Sequence, residues 1–333
     1  MTTDAEGPLA ALGATADRDR LARLRSLTLA AQELLQASKA ANTVRGYRSD
    51  WNDFTAWCSA QRLAPLPAEP ATVALYLADL TGSGAATSTI QRRISSISQA
   101  HQAAGHRPSP TSDVRVRQVM RGIRRTLGTA PRNQKAPLSA AELRKLVATC
   151  PPETLAGRRD RALLLIGDLG AFRRSELVAL DAEDVAETDA GLRIRLRRSK
   201  TDQEAAGTEK GIPRKADPEV CPARALRAWR EAAGIEDGPL WRAVNRHDQI
   251  QPGRLTDRAV ALVVKRASRR AGLDPDRYAG HSLRSGFATA AAEAGAPERA
   301  IMRQGGWTSE AMVRRYIRMG DLFRENAAAY VDP

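Results

Sequence analysis

A tyrosine near the C-terminus stands among basic residues. The segment GGWTSEAMVRRYIRMGDLF, residues 305–323, places Tyr316 beside Arg314, Arg315 and Arg318. An ordinary phenol has a pKa near 10, so only about one in a thousand is ionised at pH 7, and nearby cations favour the ionised form. Such a phenol can act as a nucleophile that forms a covalent ester. The alternative is a helix tyrosine that anchors a small core while the arginines face solvent.

Further residues of types that bind anions or transfer protons occur in short motifs, and each also has an ordinary interpretation. They are Arg173 and Glu176 in GAFRRSEL, Lys200, His281 and Arg284 in GHSLRSG, and Trp307 after two glycines. Arg173 and Glu176 could form a simple ion pair one helical turn apart. A histidine at a helix start usually caps or packs, a lysine beside a turn is usually solvated, and Trp307 could serve packing alone. His281 and Arg284 are three residues apart, so they share one helix face.

The charge of the chain favours a polyanionic partner. The sequence of 333 residues has 52 Lys and Arg against 38 Asp and Glu, a net charge of +14. Residues 92–135 contain ten basic residues and a single acid, Asp113. A solvated surface normally mixes charges of both signs, so this stretch predicts contact with a nucleic-acid backbone. The predicted contacts there are Arg92, Arg93, Arg115, Arg117, Arg121, Arg124, Arg125, Arg132 and Lys135.

Several other classes of protein are disfavoured. The sequence has no run of 18 or more apolar residues, and its N-terminus is acidic where a signal peptide would be basic. A cytoplasmic location is therefore expected. The three cysteines, Cys58, Cys150 and Cys221, are widely spaced and form no CxxC or Cys/His motif, so we expect neither disulfides nor a zinc site.

The elements that must position these side chains fall into two domains. We expect a disordered tail over 1–20 and an all-helical domain over 21–127, with an inward stripe of Val44, Tyr47, Trp51, Phe54 and Cys58 on its first long helix. Three more helices are predicted, from about Val73 to Gly82, Thr87 to Ala104 and Ser112 to Leu127. The Pro-rich, polar segment 128–137 is typical of a linker.

The second domain is predicted over 138–333 and is mostly helical. Ser139 and Glu142 form a capping-box motif at its start, and a helix is expected from Arg158 to Leu169. Residues 192–200 alternate strictly, with Leu192, Ile194 and Leu196 on one face and Arg193, Arg195 and Arg197 on the other. This pattern predicts a strand of a small antiparallel sheet, with a cationic face that we expect to contact nucleic acid and with Lys200 near a turn. From about residue 220 onward only helices are expected.

Taken together, the motifs resemble those of the tyrosine recombinase (phage integrase) family. The resemblance rests on FRRSEL, SKTDQEAAGTEKG and the run GHSLRSGFATAAAEAGAPERAIMRQGGWTSEAMVRRYIR, and it covers residues 160–330 well. Over the first domain it is limited to helical pattern and basic content. Where family members often have Gly-Leu before the first arginine, this chain has Ala171 and Phe172, which leaves the arginine in place.

The resemblance implies an enzyme that cleaves and rejoins duplex DNA. Tyr316 would form a 3′-phosphotyrosyl link, Arg173 and Arg284 would clamp the phosphate, and Lys200 would protonate the departing 5′ oxygen. His281 would bind the phosphate and help to move the tyrosine proton. Trp307 would support the site and contact the phosphate, and Glu176 would orient a neighbouring base or arginine. Neither a metal nor ATP is expected, because two guanidiniums can stabilise the transition state and the number of bonds is unchanged.

The resemblance also implies how the enzyme assembles. Two basic lobes joined by a flexible linker would form a C-shaped clamp on a specific DNA site, and four subunits would act on two paired sites, although the free protein would be a monomer. Residues 321–330 would form a helix that docks on a neighbouring subunit, or alternatively on their own domain. A type IB topoisomerase and a non-catalytic DNA-binding regulator on the same fold remain alternative interpretations.

Overall fold

The computed structural model of the chain describes residues 20–21, 23–30, 41–131, 134–197 and 207–320, with side chains except at 41, 42 and 317–320. The chain divides into two compact units, residues 1–133 and 134–333. Four predicted features lie outside the described residues: residues 1–19 of the tail predicted over 1–20, Arg132, Lys200 and the C-terminal helix predicted over 321–330.

The first unit is helical, and its four main helices pack round one apolar core. Their bounds are α1 Ala41–Ala60, α2 Pro70–Gly82, α3 Thr87–Ala103 and α4 Val114–Leu127, with a 3-10 turn at Pro110–Ser112. Phe54 and Cys58 of α1 are fully buried as predicted, whereas Trp51 and Tyr47 are half-buried. Val44 is 36% exposed, so its prediction as a core residue was wrong. The described core of this unit covers only the second half of the α1 stripe.

Helix α4 separates its apolar and basic residues on opposite faces. Asp113 caps the helix, because its side chain accepts a hydrogen bond from the Arg115 backbone N–H at 2.8 Å. Val116, Met120 and Ile123 recur at steps of three and four residues and are buried in the core. The arginines between them therefore face solvent.

The helices of the second unit surround a buried central helix. The described helices are α5 Ala140–Ala148, α6 Leu155–Leu169, α7 Arg174–Ala179, α8 Pro222–Ala233, α9 Asp257–Arg270, α10 Gly280–Glu293, α11 Glu298–Gly305 and α12 Glu310–Gly320. The predicted capping box is present: Ser139 Oγ accepts from the Glu142 N–H at 3.2 Å, and Glu142 Oε2 accepts from the Ser139 N–H at 2.8 Å. In α6 the run Leu163 to Ile166 is fully buried on every side, as expected of a helix in the middle of a core.

A three-stranded antiparallel sheet has the order β1–β2–β3, formed by Val185–Thr188, Gly191–Leu196 and Thr208–Pro213. The predicted alternation along β2 is confirmed, since Leu192, Ile194 and Leu196 are buried and the intervening arginines are exposed. A second hairpin, β4 Arg242–Val244 and β5 Ile250–Arg254, lies in the region for which only helices were expected. That expectation was wrong, because a strand of three residues is too short to show a period.

Helix α10 carries two of the predicted site residues, and neighbouring backbone fixes its position. Ala136 donates its N–H to the Arg277 carbonyl at 2.8 Å, and Leu138 donates to the Ser282 carbonyl at 3.1 Å. A Cβ atom on Gly286 would lie 2.2 Å from the Leu138 carbonyl oxygen, so this close approach requires glycine. Within the ranges that the structure describes, no helix is long and apolar enough to cross a membrane.

Candidate active site

Tyr316 lies on α12 and contacts a histidine from α10. Its side chain is 8% exposed, and its ring belongs to a small apolar cluster with Trp307, Val313 and Ile301. The Tyr316 hydroxyl nevertheless lies 3.2 Å from His281 Nε2, within hydrogen-bond distance. The ring of Tyr316 therefore anchors a small core while its hydroxyl contacts His281, and its role as a nucleophile stays a prediction.

His281 stands in the first turn of α10 in an environment that disfavours its charged form. Burial lowers the pKa of the imidazole, and the positive charges of Arg284 and Arg174 lower it further. A neutral imidazole has one nitrogen that can accept a proton. His281 can therefore accept the proton of Tyr316 near neutral pH.

Arg284 follows His281 by one helical turn and is almost fully buried. Its side chain is 3% exposed, its guanidinium carbon lies 4.1 Å from the centre of the Trp307 ring, and Nη1 donates to the Ala171 carbonyl. Among the described residues Nη2 has no hydrogen-bond partner. Burial and, to a smaller extent, the positive charge of nearby Arg173 lower the pKa of Arg284 to about 10. A desolvated cation with an uncommitted donor is well suited to bind an anion.

Arg173 and Glu176 form the ion pair that their spacing suggested. Arg173 precedes α7, its Nη1 is paired with Glu176 Oε1, and its own N–H donates to Glu176 Oε2 at 2.9 Å. Its Nη2 donates to the Gly306 carbonyl at 3.4 Å, which places Arg173 beside the segment that carries Trp307. Glu176 is 4% exposed and holds the guanidinium of Arg173 through Oε1 and its backbone N–H through Oε2. The pair is therefore compatible with the orienting role that the resemblance gave to Glu176.

The turn that precedes Arg173 is held by side chains from three other elements. Leu169 O accepts from Gln304 Nε2 at 2.9 Å, Gly170 O accepts from Lys210 Nζ at 2.7 Å, and Ala171 O accepts from Arg284. Ala171 has a φ of +47°, a conformation that non-glycine residues rarely adopt. The surrounding structure thus maintains an unfavourable backbone next to the site arginine.

Lys210 is a member of this cluster that sequence reasoning missed. It lies on β3 with its side chain 4% exposed, whereas Thr208, Glu209 and Gly211 are exposed. Its position two residues before buried Ile212 was the available signal, since residues i and i+2 of a strand share a face. Lys200, for which proton donation was predicted, lies outside the described residues.

The predicted DNA-contacting arginines differ in how far they are engaged by partners within their own units. Those exposed on α4 are Arg115, Arg117, Arg121, Arg124 and Arg125; Arg193 and Arg195 are exposed on β2, and Arg197 is exposed directly after it. Arg115 is paired with Asp113 at 3.0 Å, Arg124 donates to Gln91, and Arg197 is paired with Asp181 and Asp184, both at 2.8 Å. Contact of these arginines with DNA stays a prediction.

Three further predicted contacts already have partners inside their own units. Arg93 is 18% exposed, is paired with Asp53 and donates to the Tyr76 hydroxyl at 2.5 Å. Arg92 is paired with Asp50 at 2.7 Å while remaining half exposed, and Lys135 donates to the Asp276 carbonyl at 2.6 Å. To contact DNA in full, Arg93 would have to exchange these partners for a phosphate. In the parts of the chain that the structure covers, no group of three or more His, Cys, Asp or Glu side chains could hold a metal ion.

Comparison with known proteins identifies the family. The family model "Phage integrase family" matches residues 137–321, and "Phage integrase, N-terminal SAM-like domain" matches residues 32–107. The integrase/recombinase XerD homolog of Selenomonas ruminantium is 43% identical over 303 residues, which cover 90% of this chain and 88% of that protein. The chain therefore belongs to the phage integrase family. It is a site-specific tyrosine recombinase, an enzyme that breaks and rejoins DNA strands.

A phage protein and a solved structure are also similar. The recombinase Cre of Escherichia phage P1 is 29% identical over 284 residues, which are 80% of each chain. A lambda integrase dimer bound to a COC′ core site matches with a TM-score of 0.58 at 18% identity, covering 90% of this chain and 96% of that chain. At this identity the structural match supports the fold, a mainly helical protein with a SAM-like first domain and a catalytic domain that contains a small antiparallel sheet.

Proposed function

We propose that Tyr316 attacks a phosphorus atom of the DNA backbone and becomes linked to it as a 3′-phosphotyrosyl ester. The new bond joins Tyr316 Oη to phosphorus, and the bond that breaks joins phosphorus to the 5′ oxygen of the next nucleotide. His281 takes the phenol proton, and Lys200 supplies a proton to the departing 5′ oxygen. Attack of a 5′ hydroxyl on the ester reverses these transfers and joins the strand to a new partner, so no external energy source is needed.

The observation that carries this proposal is the 3.2 Å contact between the Tyr316 hydroxyl and His281 Nε2, one helical turn from Arg284. The contact joins a nucleophile to a base that burial keeps neutral. The sequence alone does not reveal this contact, because the two residues are 35 positions apart. A phenol in structural packing alone would not require a histidine acceptor beside two arginines.

Arg173 and Arg284 supply positive charge for the transition state. The pentacoordinate phosphorus carries more negative charge than the phosphodiester, and fixed cations in a water-poor site stabilise this increase. Arginines in comparable roles raise rates by roughly 10³ to 10⁵. Trp307 packs against the Arg284 guanidinium and limits its orientations. Glu176 limits the orientations of the Arg173 guanidinium through one ion pair and also accepts from the Arg173 backbone N–H.

A trapping experiment tests the chemistry and identifies the DNA site together. The protein is incubated with a library of nicked duplexes, covalent complexes are isolated in detergent, and the attached DNA is sequenced. The wild-type protein should give an adduct enriched in one sequence, and a Tyr316→Phe variant should bind the same DNA without forming an adduct. No adduct with wild type would leave a DNA-binding regulator, and adducts without sequence preference together with plasmid relaxation would favour a topoisomerase.

We propose that four subunits act on two synapsed sites, exchange strands through a Holliday junction and are monomers before they bind DNA. Residues 321–330, with Leu322, Phe323, Ala327 and Tyr330 on one face of a predicted helix, would dock on a neighbouring subunit. Deletion of residues 321–333 should then abolish synapsis and spare binding to a single site. Unchanged recombination by the truncated protein would contradict this assembly. We place the enzyme in the cytoplasm on the nucleoid, where its substrate lies.

We propose that the basic faces of both units bind the DNA backbone. The exposed arginines of α4 and β2 have the charge and the exposure that phosphate contacts need. Such contacts release counterions, so affinity should fall steeply with salt concentration.

A further inference from the structure

Lys210 is buried beside the active-site cluster. The Lys210 ammonium lies 4.6 Å from the centre of the Phe172 ring and donates to the Gly170 carbonyl at 2.7 Å. Burial lowers its pKa to about 7; Glu176 opposes this change, whereas Arg284 and Arg173 add to it. Burial of a charged lysine costs free energy unless hydrogen bonds or nearby charges compensate for it. Groups with strongly shifted pKa values are common at functional sites, so the position of Lys210 requires an explanation.

The group that Lys210 holds belongs to the turn directly before Arg173. Gly170 and Ala171 form this turn, and Ala171 has the left-handed φ of +47°. Backbone in such a conformation persists only where its surroundings determine it. Because Arg284 donates to the Ala171 carbonyl, the same turn also fixes the second site arginine.

Strand β3 is joined to the turn at two successive residues. Lys210 contacts the Gly170 carbonyl, and the Gly211 carbonyl accepts from Gln304 Nε2 at 3.1 Å, while the same amide nitrogen donates to the Leu169 carbonyl. In the chain, β3 directly follows the segment 198–206 that contains Lys200. Strand β3 is thus attached to the turn that presents Arg173.

We propose that Lys210 is a positioning residue of the cleavage site: its ammonium holds the Gly170 carbonyl and thereby fixes the turn that presents Arg173 and receives Arg284. The proposal rests on the proposed function, since it assigns Lys210 to the phosphoryl-transfer step. Lys210 acts through the backbone and does not touch the phosphate. Its charge also adds to the positive potential of the two arginines when it is protonated.

The first test compares Lys210→Met with Lys145→Met, the same change at an exposed lysine on α5. The probe is the nicked duplex recovered with the wild-type protein in the trapping experiment. Loss of a hydrogen bond from a charged donor should slow adduct formation by roughly 10- to 100-fold in Lys210→Met, because such bonds contribute about one to two powers of ten. The apparent Kd for the duplex should stay within about twofold, and Lys145→Met should match wild type in both.

The pH profile provides a readout that a merely structural role would not change. The charged groups that face Lys210 are Glu176 and Arg173 at α7 and Arg284 on α10. As pH rises through about 7, Lys210 loses its proton and the Gly170 carbonyl loses a charge-assisted bond. The ratio of wild-type to Lys210→Met rates should therefore fall between pH 6 and pH 8.5. Titration of His281 affects both proteins and cancels in this ratio.

Hydrogen exchange tests the turn without any reaction. The amides of Gly170, Ala171 and Phe172 should exchange at least tenfold faster in Lys210→Met than in wild type or Lys145→Met. Equal exchange of these amides, or an unchanged rate of adduct formation by the folded fraction, would overturn the proposal, as would a rate ratio independent of pH. If wild type forms no adduct, the proposed function fails and exchange alone decides whether Lys210 holds the turn.

Discussion

Replacement of His281 by glutamine is the sharpest test of how Tyr316 is activated. Glutamine retains a polar side chain of similar reach but cannot take up a proton. An ordinary phenol is about three pH units from ionisation at pH 7, which corresponds to about 4 kcal/mol. A base at 3.2 Å can recover much of this free energy during attack, because it lies within proton-transfer distance. We expect His281→Gln to form the covalent adduct 10² to 10³ times more slowly at pH 7.

The loss of rate in His281→Gln should become smaller as pH rises. Burial, Arg284 and Arg174 lower the pKa of His281 below its usual 6.5, so the acid limb of the wild-type rate profile should lie below that pH. In His281→Gln the phenol must ionise without a base, so its rate relative to wild type should rise by up to about tenfold per pH unit from pH 6 to pH 9. Deprotonation of Lys210 slows both proteins alike and cancels in this ratio. The difference between the two proteins should therefore shrink at alkaline pH. The assay is single-turnover adduct formation on the selected nicked duplex.

A charge change beside His281 serves as a companion experiment. Arg174→Met removes a cation that lowers the histidine pKa and should move the acid limb of the wild-type profile to higher pH. Arg258→Met, at an exposed arginine of α9, should leave the acid limb of the profile in place.

Two results would refute proton transfer to His281. They are parallel pH profiles for wild type and His281→Gln, or a rate loss below threefold in His281→Gln at pH 7 with the fold intact.

Three other changes have expected outcomes. Burial raises the pKa of Asp168 well above its usual range, so the contribution of this residue to stability should fall as pH rises above about 4, by up to ~1.4 kcal/mol per pH unit until its folded-state pKa is reached. In urea unfolding, Asp168→Asn should therefore gain stability relative to wild type as pH rises above this value, and a difference independent of pH would contradict this. A Cβ atom at Gly305 would lie 1.8 Å from the Trp307 ring, so Gly305→Ala should displace the indole and slow adduct formation about tenfold or more while gel-shift affinity is kept. Replacing both Arg117 and Arg121 by alanine should reduce the slope of log affinity against log salt by roughly 1.8 if each contacts a phosphate, and an unchanged slope would remove them from the interface.

Long, strongly patterned elements were predictable from local sequence, whereas short ones were not. The apolar positions of α4 and the alternation of β2 are spread over enough residues to define a period, and both are confirmed. The hairpin of β4 and β5 was missed because its strands have three and five residues and their side chains are half-buried or exposed. Val44 follows the period of α1 but lies beyond the part of the helix that the described core covers.

At the site, residue types were predictable and their partners were not. The motif spacing placed Arg173 with Glu176 and His281 with Arg284, because residues three apart on a helix are neighbours. The contact of His281 with Tyr316 joins two helices, and the stacking of Arg284 on Trp307 joins a helix to a following segment. No local period encodes such contacts. Lys210 was missed because a lysine in a short strand is usually solvated.

The sequence by itself determined the helical class, the basic charge and the family, because these depend on composition, local period and motifs that survive in a linear chain. The surroundings of the site residues, in contrast, exist only in the folded chain. Burial lowers the pKa of His281, leaves Arg284 Nη2 without a hydrogen-bond partner among the described residues and places the Lys210 ammonium against the Gly170 carbonyl. Each of these states arises from desolvation and from groups brought together across long stretches of chain, and both effects appear only once the chain has folded.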